Sequence, residues 1–210
     1  MSTVLVLASS ILGEQSASNA LLREAVEGLR RADPGLRVIQ RDLGAEPVPH
    51  LDGPAAAALR GAPAETAAQR AALALSDAIV EEVRAADLLL IGAPMYNFGI
   101  PSGLKAWFDH LLRAGVTFRY TEAGPEGLLP SKRAIVVESR GGLYSEGPAQ
   151  AMDAQEPHLR ALLRFVGVAD VTFVRAERLA LGPEPRQRSL AEAARELAAA
   201  LETERRRLAA

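Results

Sequence analysis

Short, continuous apolar runs take turns along this chain with longer stretches whose apolar positions lie three and four residues apart. The runs read as strands buried on both faces of a parallel sheet, and the stretches as amphipathic helices. The pattern predicts strands over 4–7, 36–41, 88–91, 134–137 and 171–174. It predicts helices over 19–32, 54–60, 67–84, 102–112, 157–166 and 187–208. Asp33-Pro34-Gly35 stops the first helix. Arg205-Arg206-Arg207 closes the last, with positive charge at the end where the helix dipole favours it. Residues 42–65, rich in Pro, Gly and Ala, form a long connection, and 115–130 an excursion after the third strand–helix unit. Five strands separated mostly by helices predict an α/β, doubly wound parallel sheet of order 2-1-3-4-5.

Composition narrows the function. With 210 residues the chain suits one domain spanning 1–210. Its 24 basic and 26 acidic residues nearly cancel, leaving no electrostatic footprint for nucleic acid. Cysteine is absent, so thiolate chemistry and cysteine-ligated metal are excluded. His50, His110 and His158 lack metal-ligand spacing, and no metal site is expected. The start of the chain carries no basic segment before its apolar run, and no run approaches the roughly 20 residues of a membrane span. A cytoplasmic protein is the expectation.

Three loops carry candidate chemistry, each leaving the carboxyl end of a predicted strand, where open α/β sheets bind ligands. The first holds Ser9, Ser10, Ser16, Ala17 and Ser18 ahead of a helix, where hydroxyls and unpaired amides can hold a phosphate. Ser16 or Ser18 acting as a helix cap accounts for the same residues. Neither the dinucleotide glycine fingerprint nor a Gly-Lys-Ser/Thr phosphate loop is present. The second loop, Pro94-Met95-Tyr96-Asn97-Phe98, offers a thioether, a phenol, an amide and a phenyl ring behind a stiff proline. The third, Ser139-Arg140-Gly141-Gly142, allows the backbone to approach a ligand closely, although a plain tight turn also needs such glycines. A sheet of this order is that of flavodoxin, with FMN at the switch point. A phosphate turn beside two loops gripping a flat heterocycle has the shape of an FMN site.

The residues also resemble a known family. Val4-Leu5-Val6-Leu7 with Ser9-Ser10, Arg41-Asp42-Leu43 and Ala93-Pro94-Met95-Tyr96-Asn97-Phe98 carry the first part of the likeness. Gly115-Val116-Thr117-Phe118-Arg119-Tyr120-Thr121-Glu122, Gly124-Pro125-Glu126-Gly127-Leu128 and Ser139-Arg140-Gly141-Gly142 carry the rest. Together they resemble the bacterial FMN-dependent NADH azoreductases, also described as FMN-dependent NADH:quinone oxidoreductases, of flavodoxin-like fold. The resemblance implies a homodimer with FMN at the subunit interface and NADH, or NADPH, as electron donor. It assigns the phosphate and ribityl chain to Ser10, Ser16, Ala17 and Ser18. It sets the flavin ring against Pro94, Met95, Tyr96, Asn97 and Phe98 on one side and Ser139, Arg140, Gly141 and Gly142 on another. Asn97, Tyr120 and Phe165 are implied to border the substrate, with Tyr120 reaching toward the partner's flavin. The chemistry implied is ping-pong transfer of hydride through FMN to quinones and azo compounds, with no catalytic side chain. Gly99-Ile100-Pro101-Ser102 and residues 147–157, with Met152, Asp153 and Glu156, depart from the common pattern beside the substrate.

Three other readings compete. A flavodoxin-like electron carrier would share fold and FMN, but such carriers are usually acidic and short. A phosphodiesterase acting on acyl carrier protein would need a metal or an acid–base cluster. A signalling receiver domain would need aspartates where Ser9 and Ser10 stand.

Overall fold

The computed structural model describes residues 2–209. Along the chain come β1 (Thr3–Ala8), α1 (Ala17–Ala32), β2 (Arg37–Asp42), α2 (Gly53–Leu59), α3 (Ala67–Ala85), β3 (Leu88–Pro94) and α4 (Ser102–Leu111). After these come β4 (Phe118–Thr121), β5 (Gly124–Gly127), β6 (Arg133–Ser139), α5 (Glu156–Phe165), β7 (Asp170–Ala176) and α6 (Pro183–Ala209). Among the described residues, five parallel strands form one sheet in the order β2-β1-β3-β6-β7, the order expected from the sequence.

The apolar runs earn their places by burying both faces. Leu5, Leu7, Leu89, Ile91, Ala134 and Val136 point to one side, where α3, α4 and α5 bring Ile79, Val83, Trp107, Phe108, Leu159 and Leu163. Val4, Val6, Leu88, Leu90, Ile135 and Val137 point to the other, against Leu22 and Val26 of α1 and Leu197 and Leu201 of α6. A side-chain period of two along each strand therefore feeds two cores at once.

Several boundaries move, each for a local reason. α1 begins at Ala17 rather than 19, because Ser16 sits in extended backbone and accepts from the Asn19 amide as a cap. β3 runs on to Pro94, since its partner β6 extends to Ser139 and the two pair residue for residue to that point. α6 begins at Pro183, proline being tolerated in a first helical turn. Two 3-10 stretches among the described residues, Gly13–Gln15 and Pro148–Met152, have no counterpart in the predicted pattern.

The excursion is a β4–β5 hairpin seated on the end of α5. Phe118 packs its ring 4.6 Å from that of Phe165, and Tyr120 meets Phe118 edge-on at 5.6 Å. Gly127 lies so close to this helix end that an added Cβ would fall 2.1 Å from the Gly167 nitrogen. The backbone approach is thus possible only for glycine, and it fixes where Tyr120 stands.

Candidate functional site

The loops leaving β1, β3 and β6 lie side by side, because those strands are neighbours in the sheet. At the first loop, the main-chain N–H groups of Ala17 and Ser18 have no acceptor among the described residues. Ser16 is both the cap of α1 and part of a small polar floor, with its Oγ 3.1 Å from Ser18 Oγ. Ser10, Ser16 and Ser18 are buried. Unpaired amides at a helix start beside hydroxyls suit an anion, with the helix dipole adding to the attraction.

The second loop is a tight turn. Tyr96 and Gly99 exchange main-chain hydrogen bonds of 3.0 and 3.1 Å, which leaves Asn97 and Phe98 at its tip. Both tip residues have positive φ, 47° and 72°, which Asn tolerates and Phe rarely adopts. The turn holds the Phe98 ring 40% exposed, with the Tyr144 ring edge-on at 6.0 Å. Strain of this kind gathers at functional loops, where the surroundings over-determine the conformation. Other bonds tie the loop down: Met95 N–H donates to Ser139 O at 2.9 Å, and Ala154 N–H donates to Phe98 O at 3.0 Å. Pro94 is buried and Met95 half-buried.

In the third loop, the carbonyls of Arg140, Gly141 and Gly142 accept from Leu179, Ala180 and Arg178. The N–H groups of Gly141 and Gly142 have no acceptor among the described residues. Main-chain donors are therefore left free along one wall, a suitable arrangement for the carbonyl or anionic edge of a flat ligand.

Arg140 does not lie as a contacting side chain would. Its guanidinium is fully buried and turned inward, so only its main chain belongs to the wall. Nη2 lies 2.7 Å from Glu138 Oε2 and 3.1 Å from Asp153 Oδ2, and Nη1 lies 3.2 Å from Glu177 Oε1. Nε donates to Gln155 Oε1 at 3.0 Å, and Gln155 Nε2 donates to Ala93 O at 2.8 Å. One cation thus joins the ends of β6 and β7, the start of α5 and, through Gln155, the residue before Pro94.

Glu177 accepts from the Tyr144 and Ser145 N–H groups at 2.8 and 3.0 Å and from the Ser145 hydroxyl. Burial alone would raise its carboxyl, but the Ser145 and Tyr144 hydrogen bonds and Arg140 hold it below the ordinary range. Glu138 is placed differently. Burial pushes it up to about 7 against the pull of Arg140, and Glu156 adds to the rise.

The sequence pattern did not single out Glu138, Gln155, Glu177 or Tyr144. A signal existed: Glu138 and Arg140 sit two apart at the end of an apolar strand, as Arg175 and Glu177 do at the end of the next. Charges so placed in buried strands must meet one another. Phe165 ends α5 and is half-buried against Phe118, by the starts of β6 and β7 and so at the edge of the sheet opposite the three loops; Tyr120 is 73% exposed and meets Phe118 there. His110 is structural, its Nε2 lying 3.1 Å from Pro49 O. No group of three or more His, Cys, Asp or Glu that could hold a metal occurs among the described residues. No described helix is long and apolar enough to cross a membrane. An apolar cleft of about 250 Å³ between α1 and α6 includes none of the loop residues and stands apart from this site.

Comparison with known proteins agrees with this fold. The family model Flavodoxin_2, described as a flavodoxin-like fold, matches residues 2–201. An FMN-dependent NADH:quinone oxidoreductase of Hyphomonas neptunium is 52% identical over 203 residues, covering 97% of each chain. FMN-dependent NADH:quinone oxidoreductase 3 of Pseudomonas aeruginosa is 50% identical over 209 residues, covering 97% of this chain and 95% of the other. Among solved structures, an FMN-dependent NADH-azoreductase from Bacillus anthracis in complex with FMN superposes with a TM-score of 0.86 at 25% identity. That match covers 97% of this chain and 99% of the other.

Proposed function

The chain belongs to the Flavodoxin_2 family of flavodoxin-like fold, and from that membership we propose that it is an FMN-dependent NADH oxidoreductase acting on quinones and azo compounds. One observation carries the reading: free amides at Ala17 and Ser18, the Pro94–Phe98 loop and free amides at Gly141 and Gly142 converge on one edge of the sheet. Relatives at 50% identity named as oxidoreductases do not favour a carrier without turnover of its own.

In this reading the amino end of α1, with Ser10, Ser16 and Ser18, holds the phosphate and ribityl chain. Met95, Tyr96, Asn97 and Phe98 form one wall for the ring system, and the main chain of Ser139, Arg140, Gly141 and Gly142 another. When bound, FMN supplies the two-electron chemistry, and the protein supplies position, electrostatics and access. The Gly141 and Gly142 amides would supply main-chain donors to a negatively charged edge of the ring. Phe98 would offer flat apolar surface to donor and acceptor in turn, and Phe165, at the far end of α5 beside Phe118, would reach such a site only from a second copy of the chain. An azo bond needs two such rounds, whereas a quinone takes two electrons in one.

We further infer a cytoplasmic homodimer. Ile11, Leu12 and Tyr120 are exposed in the single chain, and a second copy would cover them and bring Tyr120 to its partner's site.

The deciding experiment reconstitutes the protein with FMN and assays NADH and NADPH against a quinone and an azo dye. Reduction of both acceptors is expected. Reduction of neither overturns the reading.

A further inference from the structure

Beneath the Gly141–Gly142 wall, carboxylates outnumber cations. Glu138, Asp153, Glu156 and Glu177 share Arg140, Arg160 and Arg175. Three of the four acids are well served. Asp153 Oδ1 also accepts from the Gln155 and Glu156 amides. Glu156 is gripped by both Arg160 and Arg175. Glu177 has two amides and a hydroxyl besides Arg140.

Glu138 is the exception. It has one close partner, Arg140 Nη2 at 2.7 Å, with Arg175 Nε at 3.7 Å. Its Oε1 is buried with no hydrogen-bond partner. The charged groups facing it are Arg140 from its own strand, Arg175 from β7, and Glu156 and Asp153 from the segment opening α5. Glu177 lies beyond the end of β7 on the same guanidinium, and Arg160 stands behind Glu156. Its neighbour β3 carries no charged residue. A fully buried carboxylate with half its lone pairs unserved is the member of such a cluster that takes a proton.

We propose that Glu138 is a positioning residue that holds a proton under mildly acidic conditions and gives it up as the pH rises through neutrality, and that this proton keeps the Gly141–Gly142 wall of the flavin site in place. The inference rests on the FMN reading above. With Glu138 neutral, the charge of Arg140 is left to Asp153 and Glu177. Ionised, Glu138 competes with Asp153 for Nη2 and repels Glu156. Both consequences reach the site: Asp153 caps the segment whose Ala154 N–H holds Phe98 O, and Glu177 clamps Tyr144 and Ser145 beside Gly142. The position of Glu138 near neutrality fits this role.

The test compares wild type with Glu138→Gln, which keeps the shape of the side chain and removes its titration. FMN affinity of the apo-protein is measured at pH 6 and pH 8.5 by fluorescence titration, and thermal stability of the same apo-protein at both pH values. Titration of the FMN phosphate, near about pH 6, is common to both proteins and cancels in the comparison. Wild type is expected to lose at least about fivefold more affinity than E138Q on going to pH 8.5, the low end of coupling between linked sites. Its melting temperature is expected to fall relative to E138Q over the same interval. Identical pH profiles in the two proteins overturn the proposal, as does a stability gap with no affinity gap. Failure of wild type to bind FMN at pH 6 overturns the functional reading and the link to the wall, while the stability arm still decides where the proton sits; failure of E138Q alone overturns the proposal. Glu138→Thr serves the same comparison if E138Q does not accumulate.

Discussion

The phenol oxygen of Tyr96 lies 3.1 Å from Ser10 Oγ, and the same oxygen accepts from the Ile11 N–H at 3.2 Å. A side chain from the loop after β3 thereby closes the loop after β1, so phosphate turn and ring wall are one unit. Tyr96→Phe removes both bonds while leaving the ring. A pair of partly exposed hydrogen bonds contributes about 1 kcal/mol, so FMN binding should weaken by roughly fivefold with little change in melting temperature. Fluorescence titration of apo-Y96F measures it; unchanged affinity would show that the two loops are set independently.

Phe98 stands at φ 72°, where a residue with a side chain is strained. Phe98→Gly releases roughly 1 kcal/mol of backbone strain and gives up an edge-on contact with Tyr144 of similar size. The apo-protein should therefore melt within a few degrees of wild type although an aromatic ring is gone. KM for an aromatic acceptor should rise severalfold, since the exposed face that the turn presents has been removed. A melting temperature lowered by ten degrees would instead make Phe98 a core residue.

Much of this was legible in the sequence because buried parallel strands announce themselves as apolar runs, and the order 2-1-3-4-5 is one of the two common doubly wound orders, that of flavodoxin. The loops after β1, β3 and β6 were legible for the same reason: a strand's end gives its loop an address. What the pattern hid depends on register. Ser16 serves as cap and as floor together, so reading it as one or the other was no real choice. Arg140 looked like a ligand-facing residue, yet alternation along β6 turns it to the same face as Glu138, into the cluster. Gln155 reaches Ala93 across 62 positions of sequence, and no local rule anticipates that.

Glu177 gives a prediction in acid. Its folded-state carboxyl titrates below the ordinary value, so it contributes stability above the unfolded pKa, near about 4.5, which is lost as pH falls through its lower folded value. Glu177→Gln should cost about 1–3 kcal/mol at pH 7, because two main-chain donors and Arg140 lose a charged acceptor. The difference from wild type should shrink as pH drops below about 4.5. Urea denaturation at pH 7 and pH 3.5 tests the sign; a gap that widens in acid contradicts it.

Ile11 is 72% exposed on the single chain, beside Leu12 in the loop that Tyr96 closes. An aliphatic side chain left in water at a site's rim contributes nothing to folding there, so Ile11→Glu should leave the melting temperature of a dilute sample nearly unchanged. In a dimer that covers this loop the same substitution buries a carboxylate without a partner, at a cost of several kcal/mol. A chain of 22.3 kDa should then sediment as a dimer in the wild type and shift toward monomer in I11E. If FMN lies at that interface, I11E should also bind it more weakly, and addition of FMN should pull the variant back toward dimer by mass action. Wild type that sediments as a monomer with FMN bound would overturn the homodimer while leaving the three-loop site intact.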